Sequence, residues 1–478
     1  MRFRKSLLGL VAVLTMPLNY LWAQQPQSPA DERQALEQEI QDLKKRLDAL
    51  DQRLKAQADA AAKGAAAASV TTVGAVPVSA DVASAAAAEN TIPAVGVGSR
   101  GFIIQSADGN FLLKIGADLQ VDDRTYVGKA TTAPVDTILL RRARPVISGT
   151  FYKYVDFYFR PDFGQGAVVI YDAYLQLNYI PHFSVRVGKF KPPVGLERLQ
   201  EDDNTTFVER GLPTLLVPQR DIGYQIMGDF LNRRAAYQLG VFNGVPDSSL
   251  SDTAVNDHRT YAGRIFLTPF LPDDNKLVKG LGVGFAASGG NLDGLATPSY
   301  KTFGQNSFFS FASGVTAAGH ETRLAPQAYY YLGPFGVLSE YTLAEEGLQK
   351  GTVRGNIQFR AWQVEVSYIL TGESKGFSSV TPRRNFDPYH HGGWGAVEIA
   401  ARTGEFDAEH GIFNYGFASP TATPRLAREY VGGVNWYLNQ ILRISLDYGV
   451  TGFEGGIPSG DKLPERALTS RFQLNFNQ

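Results

Sequence analysis

Residues 168–179, VVIYDAYLQLNY, alternate between two faces. Val169, Tyr171, Ala173, Leu175, Leu177 and Tyr179 fall on one face; Ile170, Asp172, Tyr174, Gln176 and Asn178 fall on the other. Side chains alternate along a strand, so one face is apolar with a tyrosine near each end and the other is mostly polar. The same separation recurs in YVDFYFR (154–160), FSVRVG (183–188), DIGYQIMGDF (221–230), AWQVEVSYIL (361–370), ILRISLDYGV (441–450) and LTSRFQLNF (468–476). A half-buried strand of a soluble sandwich also alternates. The polar faces decide between the two, because they carry charges in strand after strand, and a sandwich core cannot hold these unpaired. A water-filled lumen can, and a closed barrel is the β-structure that satisfies every backbone group in lipid. The pattern predicts an all-β fold, a transmembrane antiparallel barrel with lipid outside, water inside and aromatics at both interfaces.

The connectors predict its size. The turns at 333–336 and 439–440 are tight, whereas 244–259, 289–322, 371–393 and 403–427 are long. Short turns suit the periplasmic end and long loops the extracellular end. Roughly 370 residues at about 23 per strand give about 16 strands, an even count as single-chain bacterial barrels require. A barrel of that size encloses an aqueous channel, where a much smaller one is filled by side chains.

The N-terminal part follows other periods. MRFRK and SLLGLVAVLTM have the basic and apolar regions of a secretory signal peptide, with cleavage expected after Ala23. The apolar stretch is short for the alternative, an uncleaved anchor. Leu36, Ile40, Leu43, Leu47, Leu50 and Leu54 follow heptad spacing and predict a self-associating coiled coil over 31–56. Residues 57–100, rich in Ala, Ser, Val and Gly, read as a flexible linker, and 101–478 as the barrel.

Composition narrows the functional classes. The net charge of −1 gives no electrostatic case for nucleic acid. The chain has no cysteine, and the His390–His391 pair lacks a helical metal-binding context, so no metal or cofactor is expected. No nucleophile and base are nominated, which speaks against an enzyme. The inward cations Arg160, Arg186, Arg264, Arg402, Arg443 and Arg471, with at least one of Arg141, Arg142 and Arg144, balance the inward acids Asp156, Asp172, Asp229, Glu340, Glu365, Glu398 and Asp447. Most of these are expected to brace the wall in pairs.

Selectivity is set where a channel is narrowest. GKFKPPVGLER (188–198) ends a strand in a proline elbow with Lys189, Lys191 and Arg198 close together. The chain then runs through LQEDDNTTFVERGLPTLLVPQRD without alternation. Its apolar residues Leu196, Leu199, Phe207, Leu212, Leu215 and Leu216 can anchor a loop packed inside the barrel.

These segments, together with LTGE (370–373), FDP (386–388) and NWYLN (435–439), resemble the phosphate-selective porin O and P family over about 105–478. The resemblance implies a trimeric 16-stranded outer-membrane barrel whose third extracellular loop, near 189–220, forms the constriction. It implies pore roles for the arginine pair Arg141 and Arg142 and for Asp172, and places Arg198 where phosphate-specific members carry a central lysine. Asp118 stands where those members carry an arginine. After LTGE the chain offers Lys375, then Arg383 and Arg384, in place of further lysines, and a planar guanidinium is not equivalent to an ammonium. The expected function is passive diffusion of small anions, phosphate or polyphosphate among them, through Arg141, Arg142, Asp172, Lys189, Lys191, Arg198, Arg383 and Arg384. The expected partners are two further copies of the chain, outer-membrane lipid and, through the coiled coil, periplasmic or cell-wall components. The alternatives are a weakly selective or organic-solute porin of the same fold, and a barrel-anchored envelope tether.

Overall fold

The computed structural model describes residues 93–477 except 100, 129–133, 251, 255, 274 and 391, together with Gln41 and Lys45. The expected signal peptide and coiled coil, and the linker up to residue 92, lie outside the described residues, apart from Gln41 and Lys45, which are helical and exposed.

Sixteen antiparallel strands close on themselves. In chain order they are β1 (Leu112–Tyr126), β2 (Thr137–Phe151), β3 (Val155–Asp162), β4 (Val169–Ile180), β5 (Phe183–Phe190), β6 (Asp221–Phe230), β7 (Ala235–Phe242) and β8 (Thr260–Leu267). There follow β9 (Leu281–Asn291), β10 (Val315–Leu332), β11 (Phe335–Lys350), β12 (Val353–Ile369), β13 (Ala396–Ala408), β14 (Pro424–Tyr437), β15 (Leu442–Ile457) and β16 (Glu465–Phe476). Each strand pairs with its sequence neighbour, and β16 pairs with β1 from Phe476↔Ala117 to Ala467↔Tyr126. Closure leaves no edge, which a barrel in lipid requires.

The alternation holds through most strands. In β15, Arg443, Ser445 and Asp447 are buried on the inner face while Leu442, Leu446 and Tyr448 are exposed on the outer. In β12, Gln363, Glu365 and Ser367 face in and Trp362, Val366 and Tyr368 face out. Tyr154 and Tyr179 stack at 5.1 Å on the outside, beside the turn at 152–154.

An N-terminal hairpin, Ala94–Gly98 with Gly101–Gln105, continues the sheet where β1 extends beyond the end of β16, pairing Phe102↔Ile115 and Gln105↔Leu112. Phe102 meets Phe476 edge-on at 5.4 Å. This hairpin begins inside the stretch read as linker. The sequence did not reveal its first strand, because AVGVG is small and shows no polar face.

The two rims differ. The connections at 127–136, 163–168, 191–220, 243–259, 292–314, 351–352, 409–423 and 458–464 share one rim; those at 152–154, 181–182, 231–234, 268–280, 333–334, 370–395 and 438–441 share the other with the C-terminal end of β16. The turn-rich rim is the periplasmic one. The connection 370–395 is an exception to the length rule, since it is long and lies on the turn-rich rim. Both ends of 403–427, read as loop, are strand: β13 runs to Ala408 and β14 starts at Pro424.

Candidate pore constriction

The ladder of β5 ends at Phe190 because Pro192 and Pro193 have no N–H to donate. Gly195, at φ +80°, reverses the chain in a conformation that favours glycine. One helical turn follows, Leu196–Leu199. Its leading amides are taken up by a carboxylate of the opposite wall: Leu196 N–H donates to Glu340 Oε2 at 2.5 Å and Glu197 N–H to Oε1 at 3.4 Å. Lys191 holds the turn from behind, donating to the Gln200 carbonyl (2.9 Å) and pairing with Glu201 (3.0 Å).

From there the segment crosses the lumen. Three inward arginines of far-wall strands donate to its backbone: Arg443 Nη1 to Thr205 O (2.8 Å), Arg471 Nη1 to Val208 O (2.7 Å) and Arg402 Nη1 to Glu209 O (2.9 Å). Asn435 donates to Thr206 O at 2.7 Å, and Val208 N–H donates to Asp447 at 2.7 Å. Each charge-assisted bond of this kind contributes about 1.5–3 kcal/mol. The segment returns along β11–β13, where Leu212 and Leu216 join a buried cluster with Ala344, Phe359 and Phe406. A Cβ at Gly211 would overlap the Gln363 amide and force that side chain to shift, so the loop backbone approaches the wall closely there. The apolar residues singled out in the sequence therefore anchor a loop inside the barrel, and the inward arginines of β13, β15 and β16 are its clamps.

The near wall is built differently. In β2, Gln120 pairs with Arg142 but Val121 pairs with Leu140, leaving Arg141 as an extra residue; in β4, Asp172 pairs with Arg160 but Ile170 pairs with Pro161, leaving Tyr171 extra. Each bulge turns two successive side chains inward. Arg141 and Arg142 therefore both reach the lumen, which strict alternation forbids. The second bulge corrects the face assignment of β4: Ile170 is exposed on the outside, whereas Val169 and Tyr171 point in. The Tyr171 ring lies between two guanidiniums, with Arg144 at 3.7 Å and Arg220 at 3.9 Å from its centroid. Both guanidiniums are also ion-paired, Arg144 with Asp162 at 2.7 Å and with Asp202, and Arg220 with Asp172 at 3.0 Å, so the ring adds a cation–π contact to each pair.

The loop supplies the counter-charges. Asp202 meets Arg142 (3.6 Å), Arg144 and Arg210. Glu209 meets Arg124 and Arg141, both at 2.8 Å. Burial alone would raise the Glu209 carboxyl, but Arg141 and Arg124 outweigh it and hold the group well below the usual carboxylate range. Arg198 differs. It is buried, its Nη2 donates to Thr214 O at 2.6 Å, its Nε has no partner, and no described carboxylate lies within ion-pair distance. Burial, reinforced by Arg210 and Arg220, pushes its guanidinium down to about 10, so it remains charged at neutral pH.

Chambers lie against two parts of the loop. One, of about 510 Å³, is lined by Arg141, Arg142, Arg144, Arg198, Arg210 and Lys301 against two carboxylates, Asp162 and Glu209. The other, of about 560 Å³, has Lys114, Arg160, Arg186, Lys191 and Arg264 against Asp172 and Glu201. In the second, Tyr158 and Tyr174 stack at 5.3 Å and Arg186 lies 4.2 Å over Tyr174. The far wall collects Glu340, Glu365, Glu398 and Glu429, all buried.

The profile of the family described as phosphate-selective porin O and P matches residues 113–476. The chain belongs to this family. It is 23% identical over 380 residues to Porin O of Pseudomonas aeruginosa, covering 73% of this chain and 84% of that relative. Its barrel is similar to the outer membrane channel DcaP of Acinetobacter baumannii, with a TM-score of 0.51 and 9% identity over 78% of this chain and 99% of that one. As a family porin, the chain is an outer-membrane channel protein.

In this porin, Arg141, Arg142 and Arg198 come together in one chamber, while Lys191 lines the other with Asp172, which accepts from Arg160 (2.9 Å) and Arg220 (3.0 Å). Lys189 does not join them. Its register partners Ala173 and Ile222 place it on the outer face, where it meets Asp252 at 2.5 Å. Arg383 and Arg384 are exposed on the periplasmic connection, and Arg383 donates to Gly372 O. Lys375 of that connection is buried, paired with Glu398 (2.6 Å) and bonded to Thr206 of the loop (3.1 Å), so it braces the constriction. Tyr171, Arg210, Arg220, Asp202 and Glu209 were missed. For the four charged residues the signal was the unusual density of charge in 197–220, which only the folded loop sorts into pairs; Tyr171 turns inward through the bulge in β4. The double variant Arg383→Gln/Arg384→Gln is expected to leave the reversal potential in a KCl gradient unchanged; a shift toward cations would bring these residues into the selectivity path.

Proposed function

We propose that this porin forms a water-filled channel for passive diffusion of small anions, phosphate or polyphosphate among them. The observation that carries this reading is the excess of cations in both chambers beside the constriction loop, six against two and five against two. Arg186 lies over the Tyr174 ring and donates to Gln176, with no carboxylate within ion-pair distance among the described residues. Selectivity for phosphate is expected to be modest. The constriction uses guanidiniums, most of them engaged by Asp202 and Glu209, where a strict filter needs cations left free for the ligand. Family membership supports a homotrimer, and the heptads of Leu36–Leu54 support self-association through a periplasmic coiled coil.

Planar-bilayer recording tests the reading. The reversal potential in a KCl gradient is expected to indicate anion preference, with phosphate reducing chloride current more than succinate or a disaccharide does. Cation preference refutes the anion reading, and equal block by all three solutes favours a general porin. Deleting residues 31–60 is expected to leave conductance intact while weakening chain association in cross-linking. Normal association with lost envelope integrity would favour the tether reading.

A further inference from the structure

Outside the constriction pairs, the loop rim holds a buried acidic cluster. Asp247 comes from the connection 243–259, Glu321 from β10 and Glu346 from β11, and they are 1%, 3% and 7% exposed. One carboxylate oxygen from each lies within 4.8 Å of the others. Glu321 and Glu346 face each other directly across the β10–β11 ladder, a position in which like charges destabilise a sheet. One cation is paired within the cluster, and with two of the three: Arg323 donates from Nε to Asp247 Oδ1 at 2.9 Å and pairs with Glu321.

Two further observations point to a missing positive partner. Among the described residues Asp247 Oδ2 and Glu321 Oε2 are buried with no N–H or hydroxyl donor, and Glu346 lies in carboxyl–carboxylate contact with Asp247. Tyr300, on the connection 292–314, is fully buried with its hydroxyl also unpartnered, and it lies within electrostatic reach of all three carboxylates. The carboxylates border a cavity of about 10 Å³ shared with Pro246, Leu295 and Gly319, room for a single water-sized sphere.

We propose that Asp247, Glu321 and Glu346 bind one divalent cation, calcium in preference to magnesium, at the loop rim. Three carboxylates are balanced by Arg323 and a divalent ion together. The donor set is all oxygen, which suits hard cations and not thiol-seeking ones. Magnesium retains several waters in octahedral geometry, whereas calcium accepts irregular and bidentate carboxylates, and the cavity has no room for a hydration shell. The ion ties the connection 243–259 to the wall. Through Arg323, whose Nε also donates to Leu216 O at 3.0 Å, it stiffens the base of the constriction loop.

The test uses full-length protein refolded in detergent, free of lipopolysaccharide, which itself binds divalent ions. After EDTA treatment, equilibrium dialysis against ⁴⁵Ca²⁺ is expected to return about one ion per chain, as a single carboxylate site requires. Glu346→Gln is expected to lose that ion, while Glu405→Gln, on a carboxylate paired with Arg428 outside the cluster, keeps it. Heat-modifiable migration verifies that each barrel is folded. Should Glu346→Gln fail to refold, Asp247→Asn gives the same readout from the loop side. A wild-type chain that binds no calcium, or either folded variant binding as well as wild type, overturns the proposal.

Discussion

Replacing Arg198 with glutamate moves the reversal potential of the open channel toward cations, with the largest shift expected from any single side chain of the constriction. Arg198 is buried in the chamber beside the loop and has no carboxylate partner among the described residues. Its charge is therefore available to a passing ion. Two unit charges about 8 Å apart at an effective dielectric near 40 interact by about 1 kcal/mol, roughly a fivefold change in ion occupancy. Exchanging a positive for a negative charge doubles that difference. The variant is expected to fold, because the new carboxylate meets Arg210 and Arg220, which repel the guanidinium now present. The chamber then holds five cations against three acids instead of six against two. Arg198→Lys is expected to retain anion preference while changing phosphate block, since it exchanges a planar fork for a point charge. A reversal potential unchanged in Arg198→Glu would place the ion path elsewhere.

Asp202→Ala should act in the opposite direction and through the loop. Asp202 is buried and meets Arg142, Arg144 and Arg210. Removing one partner of a buried ion pair costs about 3–5 kcal/mol, because the remaining charge is left uncompensated. The backbone ladder of the barrel is untouched, so the loop bears the loss. The expected result is larger and noisier single-channel conductance, stronger anion preference from the released guanidiniums, and faster proteolysis within 191–220. Conductance and selectivity both equal to wild type would show that Asp202 does not hold the constriction.

Within the barrel, legibility followed the range of the interactions. The faces of β12, β15 and β16 were read from runs of nine or ten residues, since a strand between lipid and water must alternate wherever its ladder is regular. The inward position of Arg402, Arg443 and Arg471 was legible for the same reason. Their role was not, because the carbonyls they clamp lie more than 190 residues away in sequence. Lys189 was misplaced by proximity. It sits in a basic stretch whose neighbours face the lumen, and the register turns it outward to Asp252.

The bulges mark the boundary most clearly. A single inserted residue costs the sequence pattern almost nothing, yet it reverses every side chain beyond it. Arg141 with Arg142, and Tyr171 with Asp172, enter the lumen together because of such insertions. The sequence by itself determined that the chain makes a closed barrel with a charged interior and an inward loop after Phe190, because alternation and proline chemistry act locally. Only the tertiary structure decided which cations are neutralised, that Arg198 stands in its chamber without a carboxylate partner among the described residues, and where three acids gather around one arginine. Those outcomes depend on distances between segments that the barrel brings together across its lumen.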